Sequence, residues 1–256
     1  MARIFITGSS TGLGLFAGRH LARQGHEVVL HARNNGRASG AMDALPEAKG
    51  IVIGDIETIQ GAVEVAAGAN DMGPFDAVIH NAGIYGGERR QTADGPSAVF
   101  AVNTLAPYIL TSLIARPQRL VYLSSSMHLG VNANLDDMLW EKRRWSGATA
   151  YSESKLHILL LAFGVSRLWP EVKSNGVDPG WVPTRMGGPG APDDLREGAL
   201  TQAALAAPEA DSPLANANGC YFHHLRAREP DPQSRDMALQ DLFLARCREL
   251  CGYEIA

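Results

Sequence analysis

Cysteine is scarce in this sequence, with only Cys220, Cys247 and Cys251 among 256 residues. A sparse, odd set excludes a disulfide framework and fits a reducing compartment. Cys247 and Cys251 lie four apart on an expected helix, with no further ligand at metal spacing, so no metal site is expected there. Long apolar runs are missing as well. None approaches the roughly 18 residues needed to cross a bilayer, and no basic stretch followed by an apolar segment opens the chain as a signal peptide would. These absences lead us to expect a cytoplasmic protein without a membrane partner. Basic excess is the third absence. Lys and Arg number 23 against 27 Asp and Glu, for a net charge of −4. That balance gives no reason to expect nucleic acid or an anionic membrane as partner. The short charge clusters at 88–90 and 141–144 read as solvated surface.

What is present is apolar and regularly spaced. Hydrophobic residues make up 45% of the chain, enough for one large α/β domain over residues 1–256. Continuous apolar runs at 3–7, 26–33, 50–55, 75–83 and 119–126 read as strands. Weaker strand signals follow at 173–180 and 219–225. Helical spacing appears at 13–25, 58–69, 97–115, 149–169, 194–207 (with Asp194 as its cap) and 234–250. Strands without alternation, interleaved with helices, indicate a parallel sheet covered on both faces. The expected fold is therefore α/β: a single-domain doubly wound parallel sheet, a Rossmann fold of about seven strands, with helices on both faces.

Directly after the first strand stands Ile6-Thr-Gly-Ser-Ser-Thr-Gly-Leu-Gly14. A glycine-rich turn between strand and helix bares backbone amides at the positive end of a helix dipole, where a pyrophosphate can approach closely. Gly8, Gly12 and Gly14 supply the bare backbone, and the hydroxyls of Ser9, Ser10 and Thr11 add donors. A carboxylate at the end of the second strand would bind a ribose 2′-hydroxyl and repel a 2′-phosphate. Arg33 stands there instead, and no acid follows until Asp43. A guanidinium fits a phosphate, so NADP(H) is expected over NAD(H). Farther along, Tyr151 and Lys155 are spaced to share one helix face. A cation beside a phenol is expected to lower its pKa and make it an acid or base for carbonyl chemistry.

In order along the chain come Thr7-Gly-Ser-Ser-Thr-Gly-Leu-Gly14, His80-Asn-Ala-Gly83, Asn103 in "VNTLAP", "LSSS" with Ser125, Tyr151-Ser-Glu-Ser-Lys155, and Asp178-Pro-Gly-Trp-Val-Pro-Thr184. This ordered set resembles the short-chain dehydrogenase/reductase family. The stretch between Ser125 and Tyr151 resembles that of retinol-dehydrogenase-like and WW-domain-oxidoreductase-like members, and brings Trp140 and Trp145 near the site by sequence. The resemblance implies a catalytic set of Ser125, Tyr151, Lys155 and Asn103. Ser125 would bind the substrate oxygen, with Ser124 and Ser126 as the alternatives. Tyr151 would be the acid or base, Lys155 would also hold the nicotinamide ribose, and Asn103 would hold a water. It implies cofactor contacts from Gly8, Ser10, Thr11, Gly12, Leu13, Gly14, Arg33, Asp55, Ile56, Asn81, Ala82, Gly83, Tyr151, Lys155, Pro179, Gly180, Val182 and Thr184. Asp55 would meet the adenine, or else cap the following helix. His80 replaces the family's usual first Asn and reads as a packed strand residue.

The expected function is an NADP(H)-dependent oxidoreductase on a small-molecule carbonyl/alcohol pair, with a non-catalytic dinucleotide-binding protein as the alternative. Substrate loops are expected at 126–150 and 185–235. Tyr85, Gly86, Met127 to Leu129, Trp181 and Met186 suggest a lipophilic substrate, and the Gly/Pro-rich stretch at 186–194 reads as a lid with Gly187, Gly188 and Gly190 as hinges. His223 and His224, adjacent in an expected strand, should point opposite ways and share no metal. By family resemblance a homodimer or homotetramer is expected.

Overall fold

Parallel strands buried on both faces need a helix after nearly every strand, and the chain supplies one. The computed structural model describes residues 1–256. Its strands are β1 (Arg3–Ile6), β2 (Glu27–Ala32), β3 (Gly50–Ile53), β4 (Ala77–His80), β5 (Arg119–Leu123), β6 (Lys173–Asp178), β7 (Tyr221–His223) and β8 (Arg226–Arg228). Its helices are α1 (Gly12–Arg23), α2 (Asn35–Ala44), α3 (Ile59–Met72), the single turn α4 (Ala98–Phe100), α5 (Ala106–Leu113), α6 (Gly147–Leu168), α7 (Leu195–Ala206) and α8 (Met237–Cys251).

The eight strands form one sheet in the order β3-β2-β1-β4-β5-β6-β7-β8. All pairs are parallel except the last. Strand side chains alternate between two cores. Ile4, Ile6, Val28, Leu30 and Ile79 meet α1 and α7 through Leu15, Leu21, Ala199 and Ala203. Phe5, Val29 and Val78 face the other way, toward Val65 of α3, Ile109 of α5, Leu159 of α6 and Phe243 of α8. The chain winds outward in both directions from β1 and β4. A doubly wound sheet opens its ligand crevice at the carboxyl ends of the strands where that order reverses.

Three features depart from the sequence reading. An eighth strand is present because β7 turns back through His224 and Leu225, both at positive φ (46° and 63°). That two-residue hairpin turn usually carries Asn-Gly, so His-Leu gave no signal. For the same reason His224 lies in the turn and not in the strand, and its ring stacks on His223 at 3.9 Å instead of pointing away. Helix α2 was missed because its sequence, NGRASGAMDA, has almost no amphipathic pattern. It is nucleated by the Asn34 side chain, which accepts the Arg37 N–H at 3.0 Å. The third is a π-helical turn, Ala101–Leu105, between α4 and α5.

Candidate active site

The turn after β1 is held open from several sides. Gly8 has φ of 62°, and a Cβ there would lie 2.7 Å from the Ala82 Cα. A Cβ on Gly14 would lie 2.5 Å from the Asn81 Nδ2. Asn81 uses that nitrogen to donate to the Thr7 and Gly8 carbonyls at 2.9 and 3.2 Å. The Thr7 hydroxyl accepts the N–H groups of Asn81 and Ala82, both at 3.0 Å. The turn after β1 and the loop after β4 are thus one bonded unit. A Cβ on Gly12 would be 3.5 Å from the Thr184 Cγ2, which brings the loop after β6 to the same place.

Most long helices here are capped by a side chain: Asn34 on α2, Thr58 on α3, Ser146 on α6, Asp194 on α7 and Asp236 on α8. Thr11, at the start of α1, caps nothing. The first amides of α1 therefore lack a side-chain acceptor at the end of the helix where the dipole favours an anion. Thr58, not Asp55, caps α3, its hydroxyl accepting the Gly61 N–H at 3.0 Å. Asp55 instead accepts the Glu57 N–H at 3.1 Å. Arg33 lies exposed just past β2. Desolvation first, and then the charges of Arg185 and Arg33, lower the pKa of Arg37. None of these three arginines pairs with a carboxylate of the chain. The structure thus gathers an unpaired cationic cluster from β2, α2 and the loop after β6. The sequence reading had only Arg33 of it, because Arg37 sits on a helix it missed and Arg185 lies far along the chain.

At the other end of the crevice, α6 presents Tyr151 and Lys155. The Lys155 Nζ lies 5.4 Å from the Tyr151 ring centroid and donates to the Leu123 carbonyl at 2.8 Å. A Cβ on Gly83 would stand 3.5 Å from both this Nζ and the Asn103 Oδ1. The π-helical turn aims Asn103 inward, where its side chain brackets Ile84: Oδ1 accepts the Ile84 N–H at 2.8 Å and Nδ2 donates to its carbonyl at 2.9 Å. Nδ2 also reaches the Ser154 hydroxyl at 3.0 Å. Single π turns of this kind recur at functional sites.

Burial is the largest influence on Tyr151 and pushes its pKa up to about 12, the neighbouring Ser125 side chain pulls it back, and Asp178 and Tyr85 push it further up. Burial also lowers Lys155 to about 8, opposed by Asp178. The expectation of a lowered phenol pKa is thus corrected. Desolvation is the largest influence on both groups. Ser124 is not directed at Tyr151, since its hydroxyl donates to the Lys155 carbonyl at 2.8 Å.

Two buried groups beside these side chains fall in stretches that the sequence reading marked, Asp178 in the 178–184 motif and His128 within 127–129, but it gave neither a role of its own. The Asp178 carboxylate closes β6 and accepts the Gly180 N–H at 2.9 Å. The His128 ring takes the Ser125 carbonyl on Nδ1 at 2.6 Å and accepts the Asp231 N–H on Nε2 at 3.0 Å. The second contact joins positions 103 apart, which no local pattern reveals.

The loops that follow β4, β5 and β6 carry exposed apolar side chains. Tyr85, Met127, Leu129, Trp181 and Met186 are each at least 40% exposed, and the Tyr85 ring lies 4.9 Å from that of Tyr151. Gly86 and Gly147 touch backbone to backbone, so a Cβ on either would collide with the other loop. The Trp145 indole donates to the Gly87 carbonyl at 2.8 Å. Trp140 turns inward, stacking edge-on to Trp145 at 5.2 Å and under Arg143 at 4.1 Å. Arg143 in turn bridges to the buried Glu153 of α6 at 2.6 Å. In the 186–194 stretch, Gly187 serves close packing against the Val182 carbonyl, and Trp181 ties back to it at 2.9 Å. Gly188 has the positive φ, 76°.

Known proteins resemble this chain along most or all of its length. The family model for short chain dehydrogenases matches residues 2–194. An uncharacterized oxidoreductase of Emericella nidulans is 43% identical over 258 residues, covering 98% of each chain. Human retinol dehydrogenase 13 is 27% identical, covering 98% of this chain and 85% of its own. A crystal structure of an uncharacterized protein from Mycobacterium paratuberculosis superposes with a TM-score of 0.86 at 25% identity, over 100% of this chain and 95% of that one. No helix here is long and apolar enough to cross a membrane.

Proposed function

Because the chain belongs to the short chain dehydrogenase family, within its retinol-dehydrogenase-like part, we propose that it reduces a lipophilic carbonyl compound with NADPH, using Tyr151 as the proton donor. The family makes it an oxidoreductase that binds a nicotinamide dinucleotide and acts on an alcohol or carbonyl group. The finer reading rests above all on one observation: Tyr151 and Lys155 share one face of α6, with the ammonium 5.4 Å from the phenol ring and bonded to the Leu123 carbonyl just before Ser125, at the same carboxyl ends of the strands as the uncapped start of α1.

The residues present fit a dinucleotide. Gly8, Gly12 and Gly14 leave space that a Cβ would fill, the amides of Gly12, Leu13 and Gly14 are free for a pyrophosphate, and Ser10 and Thr11 add hydroxyls. Asp55 and Ile56 would border the adenine. Asn81, Ala82, Gly83, Pro179, Gly180, Val182 and Thr184 would border the nicotinamide half. When bound, the dinucleotide supplies a hydride. Ser125 would hold the substrate oxygen by its hydroxyl. Tyr151, kept a neutral phenol at pH 7 by its burial, would give that oxygen a proton as negative charge grows on it. Lys155, cationic at pH 7, would stabilise the tyrosinate left behind and bind a ribose hydroxyl. Asn103 would fix the backbone at Ile84 beside the ammonium. A phenol that stays protonated favours reduction over oxidation. The exposed Tyr85, Met127, Leu129, Trp181 and Met186 favour an aromatic or aliphatic carbonyl over a sugar phosphate.

The choice of NADPH rests on Arg33, Arg37 and Arg185. Arg33→Ala is expected to weaken NADPH binding by about tenfold to a hundredfold, the worth of one charge-assisted hydrogen bond to phosphate, and to leave NADH binding unchanged. Fluorescence titration of both nucleotides checks it. Equal affinity of the unaltered protein for NADH and NADPH would remove the 2′-phosphate reading.

A further inference from the structure

His31 lies near the carboxyl end of β2, between β1 and the edge strand β3; it is 2% exposed, and nothing in the catalytic reading uses it. Its ring makes two hydrogen bonds in opposite directions. Nδ1 accepts the Gly8 N–H at 2.9 Å. Nε2 faces the Gly54 carbonyl at 2.9 Å. An amide N–H can only donate and a carbonyl can only accept, so together the two contacts fix a neutral ring with its proton on Nε2. The backbone of His31 is clamped to the same turn: its N–H donates to the Ser9 hydroxyl at 2.8 Å, and its carbonyl accepts the Ser9 N–H at 3.1 Å.

The two ends of the ring matter because of where they sit. Gly8 is the first residue of the glycine turn, and it has no slack toward Ala82 on its other side. Gly54 directly precedes Asp55 at the end of β3. One ring thus spans β2 and braces the wall proposed to meet pyrophosphate against the wall proposed to meet adenosine. Resting on the reading of this crevice as a dinucleotide site, we propose that His31 is a positioning residue for dinucleotide binding, whose neutral ring sets the spacing of these two walls and whose protonation releases it.

A proton on Nδ1 would face the Gly8 N–H, donor against donor, so the imidazolium cannot keep the contact. The elements packed around the ring offer few charges. β1 presents Phe5, edge-on at 6.4 Å, and the turn presents Gly8 and Ser9. From the β3 side comes the Asp55 charge, which raises the pKa along with the Gly54 carbonyl, while burial, the largest influence, lowers it. The net pKa lies below the usual 6.5, so the neutral brace is intact at pH 7 and is lost on acidification below that value.

The test is NADPH binding by fluorescence titration from pH 7 to pH 5, with melting of the ligand-free protein measured alongside. His31→Leu removes both bonds and leaves the Gly8 N–H and the Gly54 carbonyl buried without partners. It should weaken NADPH binding about tenfold or more at pH 7. His31→Asn keeps an acceptor where Nδ1 stands and cannot titrate. It should recover most of the affinity and show a shallower acid loss than the unaltered protein, the remaining slope being that of the NADPH 2′-phosphate. A merely structural histidine would lower the melting temperature without moving affinity. Unchanged affinity in His31→Leu, or superimposable pH profiles for His31→Asn and the unaltered protein, would overturn the proposal alone. Failure of the unaltered protein to bind either NADPH or NADH would overturn it together with the functional reading.

Discussion

Tyr151→Phe is expected to lower kcat for carbonyl reduction by roughly 10²–10⁴-fold, the usual worth of a positioned general acid, while NADPH affinity stays within about threefold of the unaltered protein, as loss of a group acting only in the transition state implies. The ring is buried and in contact with Tyr85, so the substitution removes a hydroxyl without opening a cavity. The hydroxyl is what the chemistry needs. Its high pKa, about 12, means that a proton is present to give across the neutral range. Lys155 sets the alkaline limit. Its pKa of about 8 means that the ammonium is lost as pH rises past that value, so reduction by the unaltered enzyme should decline above pH 8 at saturating NADPH. Steady-state rates with a lipophilic aldehyde, from pH 6 to pH 10, test both statements. A Tyr151→Phe enzyme with undiminished turnover would remove the phenol from the mechanism.

The second large effect is acid destabilisation carried by two buried histidines. His80 stacks on Tyr122 at 4.7 Å, and burial lowers its pKa to about 3. His157, stacked against Phe243 at 5.6 Å, is lowered to about 4, mainly by burial, with the Ala133 carbonyl opposing and Arg143 assisting. Both folded-state values lie below the unfolded value of 6.5. Between those limits the unfolded chain binds more protons than the folded one, so stability is full above pH 6.5 and falls as pH drops below it. At pH 4.5 each histidine should cost on the order of 2–3 kcal/mol, and the pair about 5 kcal/mol, a large part of the ~5–15 kcal/mol that holds a typical domain folded. Urea unfolding at pH 7 and pH 4.5 measures the loss. His80→Asn with His157→Gln, which cannot titrate, should cut it by roughly that amount. An equal loss in the double variant would place the acid sensitivity elsewhere.

The sheet was legible because its strands are unbroken apolar runs. Ile4, Phe5 and Ile6 are each fully buried, and such a run has no other stable home. The glycine turn and the Tyr151/Lys155 spacing were legible because they are local: neighbours on one turn or one helix face remain neighbours after folding. What was missed depends on distance or on backbone geometry. Arg37 joins Arg33 only through α2, whose weak amphipathy hid it. His31 meets Gly8 and Gly54 across strand pairs that sequence does not display. The phenol pKa was misjudged because spacing reports that Lys155 is near, and says nothing of how deeply both groups are buried. The β7–β8 hairpin was hidden by a His-Leu turn in a conformation those residues seldom adopt.

The central claim is that hydride and proton reach the two ends of one carbonyl in this crevice. The most direct measurement is a single turnover of an aromatic ketone with NADPH deuterated at the transferable C4 position, read by mass spectrometry and NMR of the alcohol. The account predicts one deuterium on the carbinol carbon with the unaltered enzyme, and the same label appearing at least about a hundredfold more slowly with Tyr151→Phe. Unlabelled alcohol, or label transferred equally fast by both proteins, would contradict it.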